Sequence, residues 1–420
     1  MNLKQTKTNT KKPIHIQETK LWSLQYILVL AAIGIISFTM TLFMPLMPIY
    51  IKAIGGNVSL AGLVVSIYTF SALLCRPFFA VLIDRYGRKP ILVIGFILLV
   101  IGCFSYRFAA VISILMIVRA VHGIGYSASS NATSTIVADI IPRERRSQGI
   151  GYYGFVTAAS LALGPAFGLL VMKNADIKTA FTVAAALAFL GLILSFFVSY
   201  EKKNTAQYTS EDEKKNSSIK EGSKKSKINF GYEKTALPAS LIMFFVAFAY
   251  SGIVTFLPTY AGTLGIEHIS IYFITYAIVL LITRIIVDHI TKKKDIRIVL
   301  MPGMILMVVA FILLGTVKTL PYLLVAAVFY AIGFGSVQPT LNAIVVSLCM
   351  PSRRGAANST FFSSMDLGIG LGAFVWGLVS QQFGYSSIYF GCIVFMVLAM
   401  VSYLILFIRK KGIKDDKKII

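Results

Sequence analysis

Acidic residues are scarce in this chain: 17 Asp and Glu stand against 40 Lys and Arg in 420 residues. Charged residues of both signs make up only 14% of it, too few to clothe a soluble domain of this length. Its four cysteines, Cys75, Cys103, Cys349 and Cys392, all fall in apolar stretches and show no metal-ligand spacing. They read as small buried hydrophobes. A Walker A sequence, a His/Asp metal cluster and a sizeable polar domain are all lacking, which argues against direct ATP drive, an enzyme or a receptor. The lysine-rich first twenty residues contain no apolar core followed by a small-residue cleavage site. The first apolar stretch is therefore expected to be a retained helix.

What is present in abundance is hydrophobicity: 57% of residues are apolar, and the mean hydropathy is +0.78. Runs near 20 residues with few charges mark membrane-spanning helices. Twelve are expected, at 26–51, 58–83, 90–107, 110–137, 147–172, 178–200, 236–262, 268–290, 297–317, 320–349, 355–380 and 386–408. Runs this long and unalternating are helices, because lipid leaves only helices and closed barrels able to satisfy the backbone. The predicted fold class is an all-α membrane protein of two pseudo-symmetric six-helix bundles.

The net charge of +23 lies in short loops and tails between apolar runs, an orientation signal rather than a nucleic-acid surface. Of the 40 Lys and Arg, Lys52, Arg107, Lys173, Lys178 and Lys318 fall on one side, and Arg76, Arg119 and Arg284 lie inside spans. All the others fall on the opposite side, which predicts cytoplasmic termini. The organisation expected is a cytoplasmic N-tail (1–25), a first bundle (26–200), a polar cytoplasmic linker (201–235), a second bundle (236–408) and a cytoplasmic C-tail (409–420).

The halves are related in sequence. At an offset of 210, Pro48, Tyr50 and Gly55 match Pro258, Tyr260 and Gly265, and Gly123 and Gly125 match Gly333 and Gly335. At 208, Tyr68 and Arg76 match Tyr276 and Arg284; at 209, Pro142, Arg145 and Gly168 match Pro351, Arg354 and Gly377. Parallel repeats with a site between them suit alternating access by rocking. The repeat breaks where Arg119 meets Phe329 and Thr157 meets Asp366.

The loop Ala80-Val81-Leu82-Ile83-Asp84-Arg85-Tyr86-Gly87-Arg88-Lys89 follows the spacing G-x-L-x-D-R-x-G-R-[KR], with Ala80 for the leading Gly. On this motif the chain resembles the major facilitator superfamily, in particular its twelve-helix drug/proton antiporters. The resemblance implies a cytoplasmic latch between the halves formed by Asp84, Arg85, Gly87 and Arg88 with Asp139 at the end of helix 4. A second match, L-x-x-x-R-x-x-Q-G-x-G, covers Leu115 to Gly125 with His122 at the Gln position. It implies a role for Arg119 in proton transfer, necessarily electrostatic because Arg keeps its proton. Arg119, His122, Tyr126, Ser130 and Thr133 share a helical face, expected to look into the central cavity. His122 is either a titrating group or a hydrogen-bonding packer.

The third match is the antiporter pattern on helix 5, partly kept as Gly151, Gly164, Pro165 and Gly168, with Ser160 and Leu169 departing from Gly. It is expected to kink helix 5 and let it approach the other half. Asp366 is the one acid deep within a span and is the candidate proton carrier or substrate contact. "SFTMTLFMPLMP", from Ser37 to Pro48, supplies Phe38, Met40, Phe43 and Met44, adaptable surfaces for an amphipathic ligand.

The expected protein is a monomeric secondary transporter of the plasma membrane, bacterial by its Lys- and Ile-rich composition. It uses no cofactor, draws on the proton gradient, and exports a small amphipathic compound such as a drug or toxic metabolite. Three intramembrane arginines against one deep acid leave open an anionic substrate such as a siderophore or other metallophore. Import of a metabolite on the same fold is the other alternative.

Overall fold

The computed structural model describes residues 21–142, 145–199, 233–293, 296–350 and 354–408. The tail up to residue 20, residues 201–232 of the linker and the tail from 409 lie outside the described residues. Twelve helical runs occupy the positions expected: α1 (Leu24–Ala53), α2 (Val58–Tyr86), α3 (Arg88–Ser105), α4 (Ile112–Ile140), α5 (Arg146–Asn174) and α6 (Ile177–Phe197). They are followed by α7 (Lys234–Thr263), α8 (Ser270–Lys293), α9 (Leu300–Gly315), α10 (Leu320–Leu348), α11 (Arg354–Phe383) and α12 (Ser386–Tyr403). No strand occurs among the described residues.

Eleven of these runs are long and apolar enough to cross a bilayer. The exception, α9, has 16 residues, about 24 Å at 1.5 Å per residue. A 3₁₀ turn at Ile296–Val299 lengthens it towards the ~30 Å of a hydrocarbon core.

Local chemistry sets the helix ends. Ser23 and Asn57 accept hydrogen bonds from the amides of Tyr26 (3.2 Å) and Leu60 (2.9 Å), capping α1 and α2. Gly87, at φ 92° and ψ 167°, both ends α2 and starts α3. That left-handed φ explains the glycine of the charged loop, since a Cβ there would be strained. Pro45, Pro48, Pro77, Pro165 and Pro339 all sit inside helices. Packed neighbours compensate such breaks within a membrane. A π turn, Gly252–Phe256, interrupts α7, whereas α1 is regular throughout.

The exposed surface is apolar: Leu74, Phe78, Ile117, Phe189, Ile285 and Val394 are each more than half exposed. Such a belt needs lipid, not water, as its solvent. Inside it, α1 packs on α5 and α6, α2 on α4, and α3 on α4 and α6. The second group mirrors the first, with α7 on α11 and α12, α8 on α10, and α9 on α10 and α12. Across the boundary α2 meets α11 and α5 meets α8.

Packing also corrects the register of the repeat. A Cβ on Gly125 would strike the Gly95 carbonyl on α3 (3.1 Å), and one on Gly333 the Gly303 carbonyl on α9 (2.5 Å). Gly125 therefore corresponds to Gly333, and Gly95 to Gly303, at the offset of 208 that also relates Arg76 to Arg284. The offset of 210 expected for this helix is wrong by two residues, which turns an α-helix to nearly its opposite face. At 208 the counterpart of Arg119 is Ala327 rather than Phe329, and that of His122 is Tyr330. The second pairing is visible in the packing. His122 sits edge-on to Tyr68 at 5.0 Å, and Tyr330 lies against Tyr276, the counterpart of Tyr68, at 6.0 Å.

Candidate functional site: three arginines and one carboxylate at mid-membrane

The three arginines within the helices meet three different surroundings. Arg76 on α2 forms an ion pair with Asp366 on α11, and its Nη2 donates to Oδ2 across the boundary between the halves. Asp366 is 1% exposed and is the only acid among the buried polar residues described. The Arg76 guanidinium also lies 6.0 Å from the Tyr126 ring centroid. Geometry thus joins the candidate Asp366 to an arginine that sequence reasoning left unassigned.

Arg119 is 1% exposed and lies over Tyr68 (5.0 Å) and Tyr106 (5.9 Å). Its charge is held by ring faces inside the first bundle. His122, fully buried, lies 3.0 Å from the Tyr106 hydroxyl through Nδ1 and 3.9 Å from Cys103 Sγ through Nε2. Phe43 packs edge-on against it at 5.3 Å. The polar stripe expected on α4 is therefore divided. Tyr126 lines the central cavity, but Arg119 and His122 point into the bundle and do not reach it. Tyr68, Phe43 and Tyr106 close over them. The position of His122, equivalent to the packed Tyr330, favours the hydrogen-bonding packer.

Arg284 on α8 faces the cavity between the halves. Ser37, Met40 and Thr41 of α1, Tyr126 of α4, Gly154, Thr157, Ala158 and Leu161 of α5, Gln338 of α10, and Phe362 and Met365 of α11 complete its lining. Nη2 of Arg284 donates to Gln338 Oε1, while its buried Nε has no partner. The cavity measures about 30 Å³, enough for roughly one water and far below the ~300 Å³ of a typical ligand pocket. The site is collapsed in this state. Of the α1 aromatics and methionines, Met40 lines it, while Phe43 and Met44 are buried and Phe38 packs on Phe167 at 5.4 Å. A larger apolar groove, about 540 Å³, lies between Leu73 of α2, the start of α7, and Thr360 to Leu367 on α11.

The charged loop behaves differently from the deep residues. Arg88 Nε donates to Asp139 Oδ2 at 3.1 Å, with both side chains about a third exposed. That pair ties α3 to α4 within one half. Arg85 stacks on Tyr86 at 5.2 Å. Asp84 is exposed in the last turn of α2 and has no ion-pair partner among the described residues. Among the described residues, the ties between halves lie at mid-depth or at the face away from this loop. Ser66 Oγ donates to the Gly370 carbonyl (2.7 Å), Gly62 leaves only 2.3 Å between a would-be Cβ and the Ala373 carbonyl, and Lys173 Nζ bonds His268 Nδ1.

The helix 5 motif has a different partner from the one expected. A Cβ on Gly164 would fall 2.1 Å from Thr41 Oγ1, and one on Gly168 would fall 2.8 Å from the Leu42 carbonyl. Both glycines admit α1 of the same half, not the opposite half. Ser160 donates to the Gly34 carbonyl at 3.1 Å, so its hydroxyl adds a tie to α1 at the position where the pattern has glycine. Gly151 has open space around it. α5 runs unbroken through Pro165.

Twelve apolar helices in two related groups, with a small cavity carrying Arg284, Gln338 and Tyr126 on their boundary, are the architecture of a multi-pass membrane protein. The family described as the Major Facilitator Superfamily matches residues 29–349 and 269–419, and the chain belongs to it. It is similar to the multi-drug resistance efflux pump PmrA of Streptococcus pneumoniae, at 24% identity over 86% of this chain and 91% of that protein. It is also 29% identical to the quinolone resistance protein NorA of Staphylococcus aureus, over 39% of this chain and 42% of NorA, so that match spans less than half the relative's length. Among solved structures, a bacterial homologue of the human lysosomal transporter Spinster, in an inward-facing and unoccupied conformation, superposes with a TM-score of 0.73 at 16% identity. That match covers 91% of this chain and 96% of the other. The human organic anion transporter MFSD10 follows at 0.65 and 18%, covering 90% and 98%. At these identities the structures speak for the fold alone.

Proposed function

We propose that this protein is a monomeric, proton-coupled exporter that moves a small amphipathic compound out of a bacterial cell across the plasma membrane. The charged loop and both termini face the cytoplasm in this reading, as the lysine and arginine bias requires. The observation that carries the coupling is the Arg76–Asp366 pair, a buried carboxylate held by the opposite half of the molecule. Protonating Asp366 removes the charge that holds Arg76 and loosens α2 from α11; releasing the proton restores the tie. A two-state packing biased by one proton is what antiport by rocking halves needs. The names of PmrA and NorA support efflux of drug-like compounds as the direction and class.

Asp84 then serves the other state. Its carboxylate has no ion-pair partner among the described residues while the far face is tied, and it is positioned to engage the second half when the cytoplasmic side closes. Inside-out vesicles test the coupling. An imposed pH gradient is expected to drive uptake of a fluorescent drug, a protonophore to abolish it, and Asp366→Asn to remove the pH drive while sparing downhill exchange. Transport that ignores the collapsed gradient overturns the antiport reading. Asp84→Asn is expected to slow turnover with binding unchanged.

A further inference from the structure

The two halves pose the same local problem twice and solve it differently. At the offset of 208, Arg76 corresponds to Arg284, and the α2–α11 contact corresponds to the α8–α5 contact. The same register holds on α5 and α11, where Gly154 and Thr157 line the cavity as their counterparts Phe362 and Met365 do. The counterpart of Asp366 is therefore Ala158, one residue from the Thr157 expected at an offset of 209. Where Arg76 meets a carboxylate, the corresponding position in the cavity that Arg284 lines carries a methyl group.

Nothing else in the described structure supplies the missing charge. Arg284 has no ion-pair partner among the described residues; it donates to the neutral Gln338, and its Nε is buried without an acceptor. A guanidinium held in a low-dielectric cavity with unmet donors costs stability, and such a group is retained where a ligand completes it. Arg also presents its donors as a planar fork that matches a carboxylate edge. We propose that the space between Arg284 and Ala158 is the subsite for an anionic oxygen group of the substrate, a carboxylate or an oxyanion of similar shape. The substrate's own charge takes the place that Asp366 occupies in the other half. Gln338 fixes the guanidinium, and Met40, Phe362 and Met365 receive the apolar remainder of the molecule. The cargo class is thus an amphipathic anion or zwitterion. The inference rests on the central cavity being the transport site of the proposed exporter.

The test uses the full chain in nanodiscs and three fluorescent probes that share a pyrene: 1-pyrenebutyrate, its primary alcohol and its trimethylammonium analogue. The wild type is expected to bind the carboxylate about tenfold tighter than the alcohol, with the cation weakest. Ala158→Asp places a competing carboxylate against Arg284, and Arg284→Gln removes the fork. Each is expected to erase the preference, weakening pyrenebutyrate about tenfold and moving the alcohol less than about twofold. Arg284→Lys, which keeps the charge and the fold, should retain part of the preference. A wild type that binds the three probes alike overturns the subsite, as does an equal loss for all three probes in the variants. Efflux in inside-out vesicles separates this from the parent reading. Absent pH-driven efflux with the carboxylate preference intact sinks the exporter alone, and efflux of the cation without any carboxylate preference sinks the subsite alone.

Discussion

Arg76 and Arg284 hold equivalent places in the two halves, yet among the described residues only the first has a carboxylate partner. The first bridges the halves through Asp366, so its charge is spent on holding two packings together. The second leans on Gln338 and faces the cavity. A repeat places two arginines at like depth; the residue on the facing helix, Asp366 or Ala158, decides whether each becomes a tie or a receptor. Arg119 shows a third outcome, a buried charge laid on Tyr68 and Tyr106 and withdrawn from the boundary altogether.

The contrast can be broken by mutation. Arg76→Gln strands Asp366 in a buried site, and removing one member of such a pair costs about 3–5 kcal/mol; a large fall in thermal midpoint in detergent is expected. Adding Asp366→Asn to Arg76→Gln should recover most of that loss, because two neutral partners leave no buried charge. If the double variant is no more stable than the single, the pair is not the source of the effect. Arg284→Gln is expected to behave in the opposite sense, with thermal stability unchanged or raised, since it removes a charge no carboxylate balances. A fall comparable to that of Arg76→Gln would erase the distinction between the two sites. The Arg88–Asp139 pair, about a third exposed, sets the lower end of the scale: Arg88→Gln should cost no more than about 1 kcal/mol, measured by the same unfolding assay.

Much of the fold was legible in the sequence because lipid imposes a strong and simple rule. Every run near 20 apolar residues became a helix, and the glycine of the charged loop sits where its spacing put a turn. Asp139 is implied only by the family resemblance, as part of a latch between the halves, and here it pairs with Arg88 within one half. The site was less legible. Asp366 stood out by its rarity, but its partner Arg76 lies 290 residues away, and no local pattern joins them. Arg119, His122 and Tyr126 share a helical face in sequence; depth and neighbouring aromatic rings sort them into bundle interior and cavity wall. The register error in the repeat hid Ala158 as well, because small residues matched by identity alone slide along a helix without penalty. The signal that would have found Arg284 and Ala158 was present in a constant offset of 208 running from Tyr68 to Gly125.

By itself the sequence determined that this chain is a membrane protein of twelve helices in two related halves, since hydropathy and charge bias act locally and survive any arrangement of the helices. Only the tertiary structure decided which arginine meets a carboxylate, which glycines admit α1 and where the cavity lies. Those outcomes depend on contacts between helices far apart in the chain, where a turn of about 100° per residue separates an ion pair from an open site.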